Sequence, residues 1–307
     1  MNFRYQPQGA FSLRESSRFW CSFAPASGAG CAIDDGLTVA FLSDDGFEPR
    51  AVKLQQEGDS VVLDAPDAAA RDQALRIFSL DVDATPLRDV AARDEVVARL
   101  LAARPGFRPP IFGSPYEAAI WGVLAQRISM KQAVNLRTRM AETMGSTLDA
   151  SGARYALAPS PKALLSRIRF DGIPDEKWAR LQAVARAAEE GALNLATLRA
   201  LPREFALAQL RTIRGVGEWT ATHILVRGTG TLDELPVAEP RVLRAIELEY
   251  GRADVSVAEG WRPLRTWVSI LLVSNLEARG RWVDPRDRAL RGKRVSRSSS
   301  SARASAA

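Results

Sequence analysis

Short apolar runs bounded by turn-forming residues dominate the first part of the chain. The runs TVAFLS (residues 38–43), AVKLQQ (51–56) and SVVLDA (60–65) are rich in residues that favour strands. The last two flank the sequence EGDS, a pattern typical of a β-hairpin. The pattern therefore predicts a small antiparallel sheet near the N-terminus.

Helical periodicity begins after these runs. DAAARDQALRIF (67–78) and VAARDEVVARLLA (90–102) carry apolar residues at helical spacing. The next segment, RPGFRPPIFGSP (104–115), interrupts the pattern with four prolines and two glycines, and we interpret it as a linker. We therefore expect an N-terminal α+β domain over residues 1–105.

From residue 114 onward the pattern is nearly all helical. Ser114, Pro115 and Glu117 combine an N-cap, a proline at the first helical position and a capping-box acid, and Ser129 with Gln132 repeats the capping box. Two helices should therefore meet around residues 126–129. Further helices are predicted at 176–191, 204–213, 218–228, 240–250 and 262–278, which gives an all-α domain over residues 106–290.

Composition narrows the class of protein. No apolar run approaches the roughly 20 residues needed to span a bilayer, and MNFRYQPQGAF lacks the pattern of a secretory signal, so we expect a soluble, cytoplasmic protein with no membrane partner. The one histidine and the two cysteines do not form a metal-ligand pattern, so we expect no metal centre. Cys21 and Cys31 are expected to be free thiols.

Net charge points to a polyanionic partner. The formal charge is +6, and part of the excess lies in RGKRVSRSSSSARASAA, residues 291–307. This basic tail lacks apolar periodicity, so we expect it to be disordered. Charge by itself is therefore weak evidence for nucleic-acid binding.

The most informative stretch is LRTIRGVGEWTATHILVRG, residues 210–228. One helix is expected to end at Ile213, and another begins directly after a Gly-Val-Gly turn, which forms a helix-hairpin-helix pattern. Gly215 and Gly217 can adopt backbone angles closed to other residues, and their N–H groups, with those of the following helix, can bind a DNA phosphate. A glycine-closed hairpin without a ligand would show the same GVG, but the pattern extends to Trp-Thr-Ala and favours DNA binding.

Here the chain resembles the helix-hairpin-helix DNA glycosylase superfamily and, within it, the 3-methyladenine DNA glycosylase II (AlkA-like) group. The resemblance continues through residues 76–87, 104–129, 235–245 and 260–272 in the family's order. It implies a monomeric, monofunctional enzyme of base excision repair that hydrolyses the N-glycosidic bond of alkylated bases in duplex DNA. It implies no cofactor, although backbone carbonyls of the hairpin can hold a monovalent cation.

The resemblance also assigns a catalytic acid. It places Glu239 where the family has aspartate, about 20 residues beyond Trp219 and three after a proline. One carboxylate near C1′ can stabilise the oxocarbenium-like sugar and orient water. Glutamate reaches one methylene further than aspartate. The alternative is that Glu239 has no catalytic role and is an exposed acid, which is favourable at a helix N-terminus.

The remaining assignments concern the base and the duplex. Trp219 stands where strand-cutting members carry a lysine, which implies a monofunctional enzyme and a flat surface for an extruded base, although a core tryptophan is an alternative. His223 would face the same cleft, and Val273 lies where relatives often present an aromatic residue. Val216 and Thr220 complete the DNA-binding hairpin. Gln126 and Arg127 match the loop that enters the gap left by the extruded nucleotide, although a solvated arginine fits equally.

Two other classes of protein stay open. The glutamate at position 239 and the valine at position 273 are also compatible with a damaged-DNA-binding protein of glycosylase fold that has weak or no catalytic activity. A structural or protein-interaction module built on the same hairpin would show no salt-dependent affinity for DNA.

Overall fold

The computed structural model describes residues 1–23 and 36–280. The strands are β1 (Asn2–Tyr5), β2 (Leu37–Leu42), β3 (Pro49–Glu57), β4 (Ser60–Asp64), β5 (Thr147–Ala150) and β6 (Ala153–Ala156). The helices are α1 (Leu13–Ser22), α2 (Ala68–Ile77), α3 (Pro86–Arg93), α4 (Glu95–Ala103), α5 (Pro115–Leu124), α6 (Met130–Met144), α7 (Pro161–Leu165), α8 (Asp175–Glu189), α9 (Leu195–Ala200), α10 (Arg203–Arg211), α11 (Glu218–His223), α12 (Pro240–Tyr250) and α13 (Arg265–Ala278). A π-helical segment (Ile224–Gly228) extends α11, and a 3-10 helix (Val255–Trp261) precedes α13. The predicted disordered tail lies outside the described residues.

The N-terminal sheet is antiparallel and has the order β1-β4-β3-β2. All three predicted strands are present, and β3 and β4 form the predicted hairpin, in which Glu57 pairs with Ser60. Alternate residues of β4 face the core, where Val61 and Leu63 are fully buried against α1 and α2. The N-terminal α+β fold is therefore confirmed, with β1 and α1 as elements that the sequence pattern did not predict.

Two large apolar cores lie in the described residues of the helical part. The larger surrounds α5 and includes α6, α8, α10 and α11. The other joins α3 and α4 to α12, α13 and the 3-10 helix. Two helices that precede residue 105 thus pack against the C-terminal helices, and the domain boundary at residue 105 stays a prediction.

Two local expectations need correction. The helix predicted over residues 90–102 is divided, because α3 ends at Arg93 and Asp94 caps α4 by accepting a hydrogen bond from the Val97 N–H at 3.1 Å. The region expected to be entirely helical also contains the β5–β6 hairpin, whose turn residues Ser151 and Gly152 have φ of +49° and +74°. The C-terminal domain is therefore mostly, but not wholly, helical.

The segment 104–115 is irregular until α5 begins at Pro115, as its prolines predict, but residues 107–115 are buried and do not form an exposed linker. Arg108 is fully buried, and its guanidinium donates hydrogen bonds to the carbonyls of five residues, namely Gln8, Gly9, Ala10, Ser79 and Val82. Burial lowers the pKa of Arg108 to about 10, which leaves it charged at neutral pH. Through the hydrogen bonds of Arg108, the segment connects the N-terminal loops to the helical part.

Cys21 corrects a further expectation, because it is disulfide-bonded and not a free thiol. Cys31 lies outside the described residues. No helix in the described part of the chain is long and apolar enough to cross a membrane.

We predict that Arg108→Met lowers the free energy of unfolding by about 3 kcal/mol, because the carbonyls that Arg108 satisfies would stay buried without a donor. Arg108→Lys should lose less, since it keeps the charge but offers fewer donors. Urea unfolding measures both variants. The control is Arg244→Met, which removes an exposed arginine whose ion pair with Glu247 should contribute little. An Arg108→Met variant as stable as the unchanged protein would contradict the assigned role.

Candidate active site

The hairpin has the geometry that its sequence predicts. α10 ends at Arg211 and α11 begins at Glu218, while Leu210, Ile213, Val216 and Ala221 are buried together in the larger helical core. These four residues pack the two helices of the hairpin against each other.

The two hairpin glycines serve different purposes. Gly215 has φ of +92°, and a Cβ there would lie 2.6 Å from the side chain of Arg180. Gly217 has φ of −88°, and a Cβ there would meet open space. Conformation and packing thus require glycine at position 215, whereas at position 217 the absence of a side chain leaves the exposed backbone accessible.

The start of α11 presents backbone donors. The N–H groups of Glu218, Trp219 and Thr220 lie in the first turn, where a helix supplies no acceptor for them. The Thr220 side chain is only 3% exposed and lies within 3.4 Å of the Gln126 amide. Of Thr220, only the backbone is therefore placed to bind a phosphate.

The loop between α5 and α6 is tied to the hairpin. Gln126 Nε2 donates to the Gly215 carbonyl at 2.9 Å, and Lys177 Nζ donates to the carbonyls of Leu124 at 2.9 Å and Gln126 at 2.7 Å. Gln126 therefore braces the hairpin. The next residue, Arg127, is exposed and adopts φ of +59°, a conformation that costs a non-glycine residue roughly 1–2 kcal/mol.

The hairpin carbonyls fit a monovalent cation in part. Those of Ile213 and Gly215 accept hydrogen bonds from the Val216 N–H and from Gln126. A carbonyl oxygen has two lone pairs, so these contacts leave one for a cation. Cation binding stays a prediction.

Glu239 is the N-cap of α12, and four hydrogen bonds hold its carboxylate. Oε1 accepts from the Arg241 backbone N–H at 3.2 Å and from Arg241 Nε at 2.8 Å. Oε2 accepts from Arg241 Nη2 and from Trp219 Nε1, both at 3.2 Å. Burial alone would raise the pKa of Glu239, but the hydrogen bonds and charge of Arg241, together with Trp219, outweigh it and lower the pKa. Glu239 is therefore ionised at neutral pH.

An aromatic stack adjoins this carboxylate. The Trp219 ring lies parallel to His223, with centroids 5.1 Å apart and an angle of 11° between planes. The Phe112 ring meets the His223 ring edge-on, and the two ring centroids are 5.4 Å apart. The structure thus joins Glu239, Trp219 and His223 into one group.

Val273 lies on α13 and is half-buried against the core that α12 and α13 share. It lies one turn before Glu277, so the two residues share a face of the helix. Glu277 accepts a hydrogen bond from Arg241 Nη1 at 2.8 Å, and Arg241 holds Glu239. Contact between Val273 and a base stays a prediction.

Two bacterial proteins resemble this chain in sequence. No protein-family model matches the chain. A DNA-3-methyladenine glycosylase of Bacillus subtilis is 28% identical over 178 residues, and DNA-3-methyladenine glycosylase 2 of Escherichia coli is 29% identical over 177 residues. Each match covers 56% of this chain, and the chain spans 58% and 61% of these relatives' lengths.

Solved structures share the fold over nearly the whole chain. The 3-methyladenine DNA glycosylase of Archaeoglobus fulgidus has a TM-score of 0.72 at 18% identity and covers 88% of this chain and 97% of its own. MBOgg1, solved with a low-affinity DNA ligand, has a TM-score of 0.71 at 18% identity and covers 91% of this chain and 96% of its own. The described part of the chain therefore has the fold of these DNA glycosylase structures.

A further structural neighbour, the 8-oxoguanine glycosylase/lyase of Clostridium acetobutylicum, was solved with duplex DNA. It has a TM-score of 0.63 at 15% identity and covers 91% of this chain and 98% of its own. At that level of identity the likeness concerns the fold. The choice of base must therefore be argued from the side chains of this chain.

Sequence reasoning missed two arginines of the site. Arg241 follows Glu239 by two residues, and its guanidinium donates hydrogen bonds to both oxygens of the Glu239 carboxylate. Arg227 is 8% exposed, and its guanidinium lies 4.6 Å from the ring centre of Phe23. The spacing Trp219, His223, Arg227 repeats every four residues, so helical periodicity could have placed Arg227 on the face that carries the other two.

We predict opposite responses from the two hairpin glycines. Gly215→Val should destabilise the protein and abolish duplex binding, because the side chain would strain the backbone and displace Arg180. Gly217→Val should leave the unfolding temperature nearly unchanged and still weaken DNA binding about tenfold or more, because its side chain would cover the exposed N–H groups. Thermal unfolding and fluorescence anisotropy with a duplex separate the two effects. Equal DNA affinity for Gly217→Val and the unchanged protein would contradict a phosphate contact at this turn.

Proposed function

We propose that the protein is a monofunctional DNA glycosylase that releases alkylated bases of the 3-methyladenine type from duplex DNA. The observation that carries the proposal is the ionised Glu239 carboxylate, held against Trp219 next to the hairpin. The two bacterial 3-methyladenine glycosylases support the choice of alkylated bases.

Binding would use the hairpin and the loop before α6 together. The N–H groups after Gly217 bind a phosphate of the damaged strand, and the helix dipole favours this negative charge. Arg127 lies on the braced loop and enters the gap left by the extruded nucleotide. The base stacks on Trp219.

The chemistry requires the carboxylate and a water molecule. The bond between C1′ and the base nitrogen breaks, and its electron pair leaves with the base. Positive charge develops on the sugar, where Glu239 stabilises it and orients the water that adds to C1′. The water gives its proton to the Glu239 carboxylate as the new C–O bond forms, and the products are the free base and an abasic site. Trp219 cannot form the Schiff base that strand cleavage needs, so the reaction ends there.

One observation favours a second candidate, a damaged-DNA-binding protein with weak or no turnover. All four hydrogen bonds of the Glu239 carboxylate come from Arg241 and Trp219, and Arg241 partly neutralises its charge. A carboxylate held in this way stabilises a sugar cation less than a free one.

We expect purified protein to release bases from methylated duplex DNA and Glu239→Gln to release them at least about 100-fold more slowly, because the glutamine carries no charge. Chromatography of the freed bases in single-turnover reactions measures this. The matched control is Glu247→Gln, an exposed acid on the same helix, which should keep the full rate.

Glu239→Asp separates the two candidates. If only this variant releases bases while the unchanged protein binds damaged duplex tightly, the chain is a binding protein. Release by Glu239→Gln at the full rate would reject the assigned acid.

The pH dependence follows from the pKa values. Glu239 must be ionised, its pKa is lowered from 4.5, and burial followed by the charge of Arg227 lowers the pKa of His223 to about 3. We therefore expect the single-turnover rate to be constant between pH 5.5 and 8 and to fall only below about pH 4.5, as Glu239 takes up a proton. A rate that changes about tenfold near pH 6.5 would show that His223 titrates with its ordinary pKa and would contradict its burial.

A further inference from the structure

The first turn of α8 carries an acid at the point where the hairpin meets the loop between α5 and α6. Glu176 Oε2 accepts a hydrogen bond from Arg214 Nη2 at 2.6 Å, and its Oε1 accepts one from Arg180 Nε at 3.1 Å. Arg214 directly precedes Gly215 of the hairpin. One carboxylate thus holds two arginines next to the backbone that is placed to bind a phosphate.

Arg180 extends this contact to the neighbouring loop. Its Nη1 donates to Gln126 Oε1 at 3.1 Å, while Gln126 Nε2 donates to the Gly215 carbonyl at 2.9 Å. The stem of Arg180 also occupies the space that a Cβ at Gly215 would need. The orientation of the Gln126 amide therefore depends on where Glu176 holds Arg180.

Stability does not explain this acid. The side chains of Glu176 and Arg214 are 56% and 60% exposed, and ion pairs exposed to this degree contribute little to folding. Asp175 already supplies the favourable interaction of an acid with the start of α8. An acid beside a phosphate-binding turn also repels DNA and cancels the attraction of a neighbouring arginine. The position of Glu176 therefore lowers the affinity for duplex DNA in general.

A lower general affinity is useful to a protein that has to find rare damage. Contacts to phosphates are the same at every site on a duplex, so an unrestrained arginine beside the hairpin would strengthen binding to damaged and undamaged DNA alike. Discrimination needs contacts that form only where a nucleotide has been extruded. The loop between α5 and α6, which Gln126 connects to the hairpin, is the element predicted to enter that gap.

We propose that Glu176 determines the preference of the protein for damaged over undamaged duplex DNA. It withholds Arg214 from the phosphates of undamaged DNA, and it keeps Arg180 where it orients Gln126. Glu176 is thus a positioning residue that acts through these two arginines. The proposal rests on the proposed function, because it requires the hairpin to bind duplex DNA.

Binding measurements with Glu176→Gln test this role without any turnover. One duplex is undamaged, and a second of identical sequence contains a tetrahydrofuran abasic analogue, which leaves a gap for the loop to enter. We expect Glu176→Gln to bind the undamaged duplex about three- to tenfold more tightly. The slope of log K against log salt should steepen by about one, because the released Arg214 gains a phosphate.

The gain should be smaller for the abasic duplex, by about threefold, because the variant loses the orientation of Gln126 that this duplex uses. The matched control is Glu190→Gln, which removes an exposed acid at the other end of α8 and changes the net charge equally. It should leave both affinities and the salt slope unchanged. Thermal unfolding of both variants should match that of the unchanged protein, since both positions are exposed.

A double-mutant cycle with Arg214→Gln tests the restraint on this arginine. Alone, Arg214→Gln should change the affinity for undamaged duplex by less than about twofold, because Glu176 already withholds the side chain. Combined with Glu176→Gln, it should remove most of the gain in affinity. Additive effects of the two substitutions would overturn the proposal.

An unchanged salt slope in Glu176→Gln, or an equal gain for both duplexes, would also overturn it. These results differ from failure of the proposed function. If methylated duplex releases no base, the glycosylase activity is rejected, whereas the Kd values still decide the role of Glu176. The absence of any duplex binding would overturn both.

Discussion

A helix that is apolar on nearly every face has to be enclosed by other elements, and α5 imposes this constraint on the whole molecule. Nine of its ten residues are buried, all but Glu117. Glycines permit its neighbours to approach, because a Cβ on Gly228 would lie 2.8 Å from the Pro115 backbone and one on Gly122 would lie 3.0 Å from Thr220. The helical run that carries Trp219, His223 and Arg227 is thereby pressed against α5, and the loop that follows α5 braces the hairpin.

The two arginines of the site, Arg241 and Arg227, have different partners. Arg241 is held by Glu239 and Glu277, and this pairing keeps the carboxylate ionised and in contact with Trp219. Arg227 is buried against phenylalanine rings, and one of its nitrogens has no partner in the described part of the chain. A buried ion pair positions a group, whereas a buried cation with an unsatisfied donor suits a ligand.

The sequence pattern predicted correctly those elements whose stabilising interactions join residues close together in the chain. The capping box of Ser129 and Gln132 is present because both partners lie within one helical turn, and the β3–β4 hairpin forms across a short turn. β1 was missed because it has only four partly exposed residues and is stabilised by pairing with β4, about 60 residues away. The segment 104–115 was interpreted as a linker because its prolines exclude helix, but proline content does not report burial.

The sequence by itself determined the hairpin and the helix that begins after Glu239. The glycine turn, the flanking apolar residues and the N-cap before Pro240 depend on neighbours a few residues apart, so these local structures can be inferred from order alone. Only the tertiary structure decided that Glu239 meets Trp219 and that Arg227 is buried against Phe19 and Phe23 with an unsatisfied nitrogen. Each depends on contacts between segments far apart in the chain, and a side chain's charge state and partners follow from the environment that those segments create.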